Sequence, residues 1–187
     1  GSDVTIDRGA MLDSTNSVID VSVNGTLTLG GVLAGAGSLT KAGSGNLVVN
    51  NSGNSYVGGT VVSEGTLTVN AATALNGNTV TLAGGTLAIG AVKPANVIDV
   101  SAPSIVSGGN AGGLTGIKNV TGSGDLTLAV TTGVFDLTGD MTAYGGTITF
   151  SNAGGATVRL YGATGSALAT WDLGAGPMDI NVRNSSA

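Results

Sequence analysis

Gly25-Thr26-Leu27-Thr28-Leu29, Gly45-Asn46-Leu47-Val48-Val49 and Gly65-Thr66-Leu67-Thr68-Val69 are three statements of one pattern. Looser copies follow at Gly85-Thr86-Leu87-Ala88-Ile89, Gly124-Asp125-Leu126-Thr127-Leu128 and Gly146-Thr147-Ile148-Thr149-Phe150. Each alternates apolar and polar residues over the length of one short strand, behind a glycine able to turn the chain. The first four begin 20 residues apart, at Gly25, Gly45, Gly65 and Gly85. Such a period in strand-forming units is the signature of a solenoid, in which each coil stacks on the one before. A sandwich or meander uses the same tight turns but has no reason to repeat its sequence.

Composition fits a narrow tube better than a globule. Charged residues are 9% of the 187, against about 25% in an ordinary domain. The 41% hydrophobic content is nearly all small or branched aliphatics, with one Trp, two Phe and three Tyr. The 34 glycines have no triplet period and proline is scarce, which excludes collagen. Regularly placed Leu and β-branched residues argue against disorder, except towards the ends.

The net charge of −5 comes from eleven carboxylates against Arg8, Lys41, Lys93, Lys118, Arg159 and Arg183. No two of these cations are neighbours in sequence, and aromatics are too few for base stacking, so nucleic acid is not an expected partner. No apolar run is long enough to span a bilayer as a helix, so the fragment is not expected to be membrane-inserted. Cysteine is absent, which rules out disulfides and thiolate metal sites. Gly1-Ser2, without an initiator Met, reads as the start of an excised fragment.

Residues 18–90 are the most regular. Leu27, Leu29, Leu39, Leu47, Val49, Val61, Leu67, Val69, Leu82, Leu87, Leu126, Leu128, Ile148 and Phe150 are expected to fill the bore. Residues 91–121 break the rhythm, because Pro94 and Pro103 cannot donate to a ladder. That stretch is read as an irregular seam within one domain of 1–187. Residues 1–17 and 172–187 are candidate end caps, since the end coils of a solenoid leave strand edges to be covered. Asp3, Asp7, Arg8 and Asp13 put charge at the first end.

The run Ser38-Leu39-Thr40-Lys41-Ala42-Gly43-Ser44-Gly45-Asn46-Leu47-Val48-Val49, followed by Asn54-Ser55-Tyr56-Val57-Gly58-Gly59-Thr60-Val61-Val62-Ser63-Glu64-Gly65-Thr66-Leu67-Thr68-Val69, resembles the autotransporter-associated β-strand repeat. The glycines, Lys41 and Tyr56 of that repeat are in place. Leu137 to Ile148 is a diverged stretch of the same kind, and Ala167 to Gly174 carries a weaker likeness. The resemblance implies a right-handed parallel β-helix, about 20 residues per coil, from a secreted or surface-displayed bacterial passenger. It implies a structural stalk or adhesive scaffold, and it brings no catalytic residues. Self-association of rods, or surface glycans, are the expected partners.

The chemistry available is narrow. Without histidine there is no imidazole base, triad or His-metal site. Clustered aspartates can cleave glycosidic bonds, and Asp136 with Asp140, backed by Asp172 and Asp179, is the candidate set for a polysaccharide-cleaving alternative. Their plainer reading, which is preferred, is as solvated turn residues, like Glu64. Gly122-Ser123-Gly124-Asp125-Leu126 is similar to half of a calcium-binding nonapeptide repeat, but no neighbouring copy completes a cage. Lys41 and Tyr56 are expected to cover the coil wall with their polar tips in water. Trp171 is the one flat platform for a sugar, more simply a packing residue. Thr-x-Thr at 26/28, 66/68, 79/81 and 147/149 is too unevenly spaced for an ice-binding array, and Thr is simply a favoured outward strand residue. Sequons at Asn24, Asn50, Asn119 and Asn184 carry little weight in a bacterial chain. The expectation is therefore a non-enzyme with no catalytic, cofactor-binding or metal residues and no cofactor, with a glycan-binding module as the other alternative.

Overall fold

The computed structural model describes residues 2–109, 115–152, 156–161, 171–172 and 179–183. Among them there is no helix; strands β1 to β21 follow one another along the chain. Nine stack into one sheet: β1 (Asp3–Ile6), β4 (Thr26–Leu29), β7 (Asn46–Val49), β9 (Thr66–Val69), β11 (Thr86–Ile89), β13 (Ser104–Gly108), β16 (Leu126–Val130), β18 (Ile148–Asn152) and β20 (Trp171–Asp172). A second sheet holds β3 (Ser17–Asp20), β6 (Leu39–Ala42), β8 (Thr60–Val62), β10 (Val80–Ala83), β12 (Ile98–Ala102) and β15 (Val120–Gly122). The third side pairs β2 (Ala10–Met11) with β5 (Leu33–Ala34), and stacks β14 (Thr115–Lys118), β17 (Val134–Thr138), β19 (Thr157–Tyr161) and β21 (Asp179–Arg183). Every pairing is parallel, for instance Leu47 with Leu67 and Leu67 with Leu87. The result is a β-solenoid of roughly 21 residues per turn.

Side chains alternate along each strand, so one register column lines the bore from end to end. In the first sheet that column runs Leu27, Leu47, Leu67, Leu87, Val106, Leu128, Phe150. From Leu47 onward its members are at most 1% exposed. Burying each such side chain contributes about 1.5–3 kcal/mol, and no aromatic-rich centre is needed.

Val61 corrects the expected bore list. It is only partly buried and faces outward, while Thr60 and Val62 point in. Thr60 is registered between Leu39 and Val80 of the inward column, and its hydroxyl is satisfied there by Tyr56 Oη at 2.7 Å. A hydrogen-bonded Thr can occupy a core position that the apolar pattern alone gives to its neighbour.

Turns between the second and first sheets need conformations few residues adopt. Gly65 has φ +58°, and a Cβ there would lie 2.4 Å from the carbonyl oxygen of Gly43 on the coil before. Only glycine lets the two turns approach this closely.

The stretch 91–121 contains β12 to β15, all paired in the ladder, with one register shift where Leu82 and Ala83 meet β12. Pro94 precedes β12, and Pro103 falls between β12 and β13, outside the strands. At the first end, β1 and β2 are in register with β4 and β5. Val4 and Ile6, above Leu27 and Leu29, are 49% and 42% exposed. Of 172–187, the backbone of Asp172 and β21 is described.

Candidate functional site

The late aspartates do not behave alike. Asp136 was expected in a solvated turn; it lies instead mid-strand in β17 and is 3% exposed. Phe135 and Leu137 on either side of it belong to the core, so its side chain projects from the outer face of the strand and is covered there. Arg159, its register partner on β19, donates from Nε to Oδ1 at 2.6 Å and from Nη2 to Oδ2 at 3.0 Å. Lys93 pairs with Oδ2 from the segment between β11 and β12. Sequence separations of 23 and 43 residues become contacts because Arg159 lies one level above Asp136 on the same side, and Lys93 reaches Asp136 from two levels below, past Gly116 of β14.

Asp140 is exposed, and its Oδ1 accepts the backbone N–H of Thr142 at 2.8 Å. That hydrogen bond holds its carboxyl below the usual range. One carboxylate is thus committed to two cations, and the other caps a turn. The side chains of Asp172, Asp179 and Trp171 lie outside the described residues. Asp125 is exposed, with Oδ1 accepting the Thr147 N–H at 3.0 Å. Among the described residues no three acidic side chains gather where they could hold a metal ion.

The repeat's two marker residues are the second correction. Lys41 and Tyr56 do not reach water; both are 0% exposed. Lys41 lies in the inward column between Ile19 and Val62. Its Nζ donates to the carbonyls of Ala42, Gly43 and Glu64 at 2.8, 2.6 and 3.1 Å. Three ammonium hydrogens meet three carbonyls, two from its own turn and one from the next coil's turn. Burial lowers the Lys41 pKa, opposed by the charges of Asp20 and Glu64. Burial likewise raises that of Tyr56, against the hydrogen bond to Thr60. Glu64 is exposed in its turn, and the part of it that Lys41 uses is the backbone carbonyl.

Tyr144 has the same role further on. Its hydroxyl lies 2.8 Å from the Gly124 carbonyl and 3.0 Å from that of Thr147. Burial and the nearby charge of Asp125 push its pKa up to about 12.

A set of asparagines at turn positions ties the coils together. Buried Asn54 accepts the Leu33 N–H with Oδ1 and donates from Nδ2 to the Ala74 carbonyl, both at 2.8 Å, so one amide joins three coils. Asn76 and Asn78 both donate to the Tyr56 carbonyl, and Asn78 also to Gly58. Asn96 donates to Leu75 and Asn78. The signal was there in Asn recurring where strands end, about one coil apart. Those residues read as turn formers, which is their commoner role.

Outside, the first sheet presents short polar side chains. From β4 to β18 it carries no charged residue. One outer column runs Thr26, Asn46, Thr66, Thr86, Ile105, Thr127, Thr149. Beside it, Val48 and Ala88 interrupt the Thr28–Thr68 column. The Thr-x-Thr pairs at 26/28 and 66/68 therefore stand two coils apart.

With this geometry in view, comparison with known proteins gives the class. Residues 39–69 match the model of the passenger-associated-transport-repeat, on the stretch that holds Lys41 and Tyr56. The chain is a β-solenoid repeat section of the autotransporter-passenger type. It is 36% identical over 171 residues, 89% of its length, to "Adhesin BmaC autotransporter" of Brucella suis biovar 1 (strain 1330). It spans 5% of that relative's length. No solved structure gives a significant match.

Proposed function

We propose that this chain is a load-carrying section of an extracellular passenger, secreted or displayed on a bacterial surface, and that it works by shape and length, not by catalysis. The observation that carries the reading is the parallel ladder of nine strands in one sheet, tied between coils by Lys41, Asn54 and Asp136. A solenoid of this kind is a stiff spacer in which nearly all contacts are between neighbouring coils. The name of the relative, an adhesin, supports the same role. The commitment of Asp136 to Arg159 and Lys93 weighs against the polysaccharide-cleaving alternative. Small-angle scattering should give the profile of an elongated particle, and a panel of acidic polysaccharides should yield no new reducing ends. Cleavage lost in Asp136→Asn or Asp140→Asn would overturn the reading.

Lateral contact between rods is a second element. The outer face of the first sheet from β4 to β18, which carries no charged residue, offers little repulsion to a neighbouring rod. Light scattering over a concentration series should show mass rising with concentration; a constant monomer mass would remove this element alone.

A further inference from the structure

The chain's few cations are scattered in sequence, and the fold brings three of them to one side. Lys93 precedes β12, Lys118 ends β14 and Arg159 is central in β19; all three lie on the third side, within three levels of one another. Elsewhere the described chain exposes Asp3, Asp7, Asp13, Asp20, Glu64, Asp99 and Asp125 in whole or part, against Arg8. Counting Asp136 and Asp140, the described part of this side carries three cations against two carboxylates, while the rest of the described surface is net acidic. Asp136 lies beneath that side, 3% exposed, and fixes the Lys93 ammonium and the Arg159 guanidinium, whose side chains remain 40% and 28% exposed. Lys118 is exposed beside them, one strand before Thr138, and Asp140 stands at the rim.

We propose that this side binds an acidic polysaccharide lying along the rod axis, with carboxylate groups meeting Lys93, Lys118 and Arg159. The inference rests on the extracellular reading above, since that is where such a polymer would be met. Charge complementarity selects an anion, and the buried carboxylate selects where it lands: cations already held in place lose less freedom on binding. The spread of the three cations over about 15 Å of rod suits a polymer with separated charges. Nucleic acid suits it less, because three cations neutralise too few of its closely spaced phosphates. A membrane surface suits it less too, since anionic lipid is held by clusters of four or more basic residues.

The test is sedimentation or surface-plasmon binding of the intact chain to polygalacturonate, with its methyl ester as the uncharged control and phosphatidylserine vesicles as the lipid control. Binding to the acid form in low salt, absent for the ester and reversed by raised salt, is expected. Lys118→Glu should weaken it about fivefold or more, as should Lys93→Gln, while Arg8→Gln should leave it unchanged. Lys118 is the decisive position because it makes no part of the Asp136 clamp, so its loss does not touch folding. Equal binding by ester and acid, binding by vesicles alone, or an undiminished Lys118→Glu would overturn the inference. If polygalacturonate fails to bind while scattering still gives an elongated particle, the inference falls and the stalk reading stands.

Discussion

Asp136 and Arg159 face each other at one register position on adjacent parallel strands, and the guanidinium grips both carboxylate oxygens. Gly116 occupies the position before them in the same column. A Cβ on Gly116 would come within 2.2 Å of the Asp136 carbonyl oxygen, so the column is small, acidic, then basic. Lys93 reaches the carboxylate from the level beyond Gly116, so the tie spans four levels, those of Lys93, Gly116, Asp136 and Arg159.

The asymmetry of burial in this tie predicts an order among variants. Asp136→Ala leaves two cations that are already partly in water, and should cost about 1–3 kcal/mol. Lys93→Met combined with Arg159→Met strands a buried carboxylate, and should cost more, about 3–5 kcal/mol. Urea unfolding of the two variants checks the order; an equal cost would mean that Asp136 hydrates freely.

Lys41→Met keeps the length of the side chain and deletes its ammonium. The carbonyls of Ala42, Gly43 and Glu64 lose their donor in a buried place, at an expected cost of about 2–4 kcal/mol. Lys41→Arg should not restore stability, since a planar fork does not fit three convergent carbonyls. Thermal or urea midpoints of the two variants decide it. A stable Lys41→Met would show that the apolar column, not the cage, holds this coil.

Val61 and Val62 are neighbours with opposite environments. Val62→Asp should unfold the chain, because a lone charge in the bore is very costly. Val61→Asp should change stability by no more than about 1 kcal/mol. Leu47→Asp and Leu67→Asp should behave like the former, and Leu67→Ala should cost about 2–5 kcal/mol. Circular dichroism at 25 °C separates folded from unfolded in each case.

Tyr144 makes stability depend on alkaline pH. Its pKa rises on folding from 10.0 to about 12, so between those values the folded chain holds a proton that the unfolded chain has released. The contribution of its hydroxyl is therefore full below pH 10 and is lost as pH climbs towards 12. The stability difference between the wild type and Tyr144→Phe should be constant to pH 10 and shrink above it. A difference independent of pH up to 12 would contradict the buried, Asp125-facing position of the hydroxyl.

The coil period was legible because apolar stacking needs the same residue type at the same place in each turn, and Leu27, Leu47, Leu67 and Leu87 supply it. Val61 was misread because alternation gives no phase when two β-branched residues are adjacent and the inward neighbour is a threonine. Lys41 and Tyr56 were misread for a related reason. Their usual place is the surface, and only the folded turns reveal carbonyls enough to satisfy them inside. The Asp136 clamp and the basic side could not be read at all, since they join residues from different coils whose order on the third side is set by turn lengths.

The register of the bore has a consequence for how such a chain can change over generations. Where successive coils repeat every 20 residues, removing a whole period between Leu47 and Leu67 returns each downstream side chain to an equivalent place. A single-residue loss within a strand would instead turn its inner residues outward. Loss or gain of whole periods thus changes length in steps of about 4.8 Å, while leaving the outer surface of every other coil as it was.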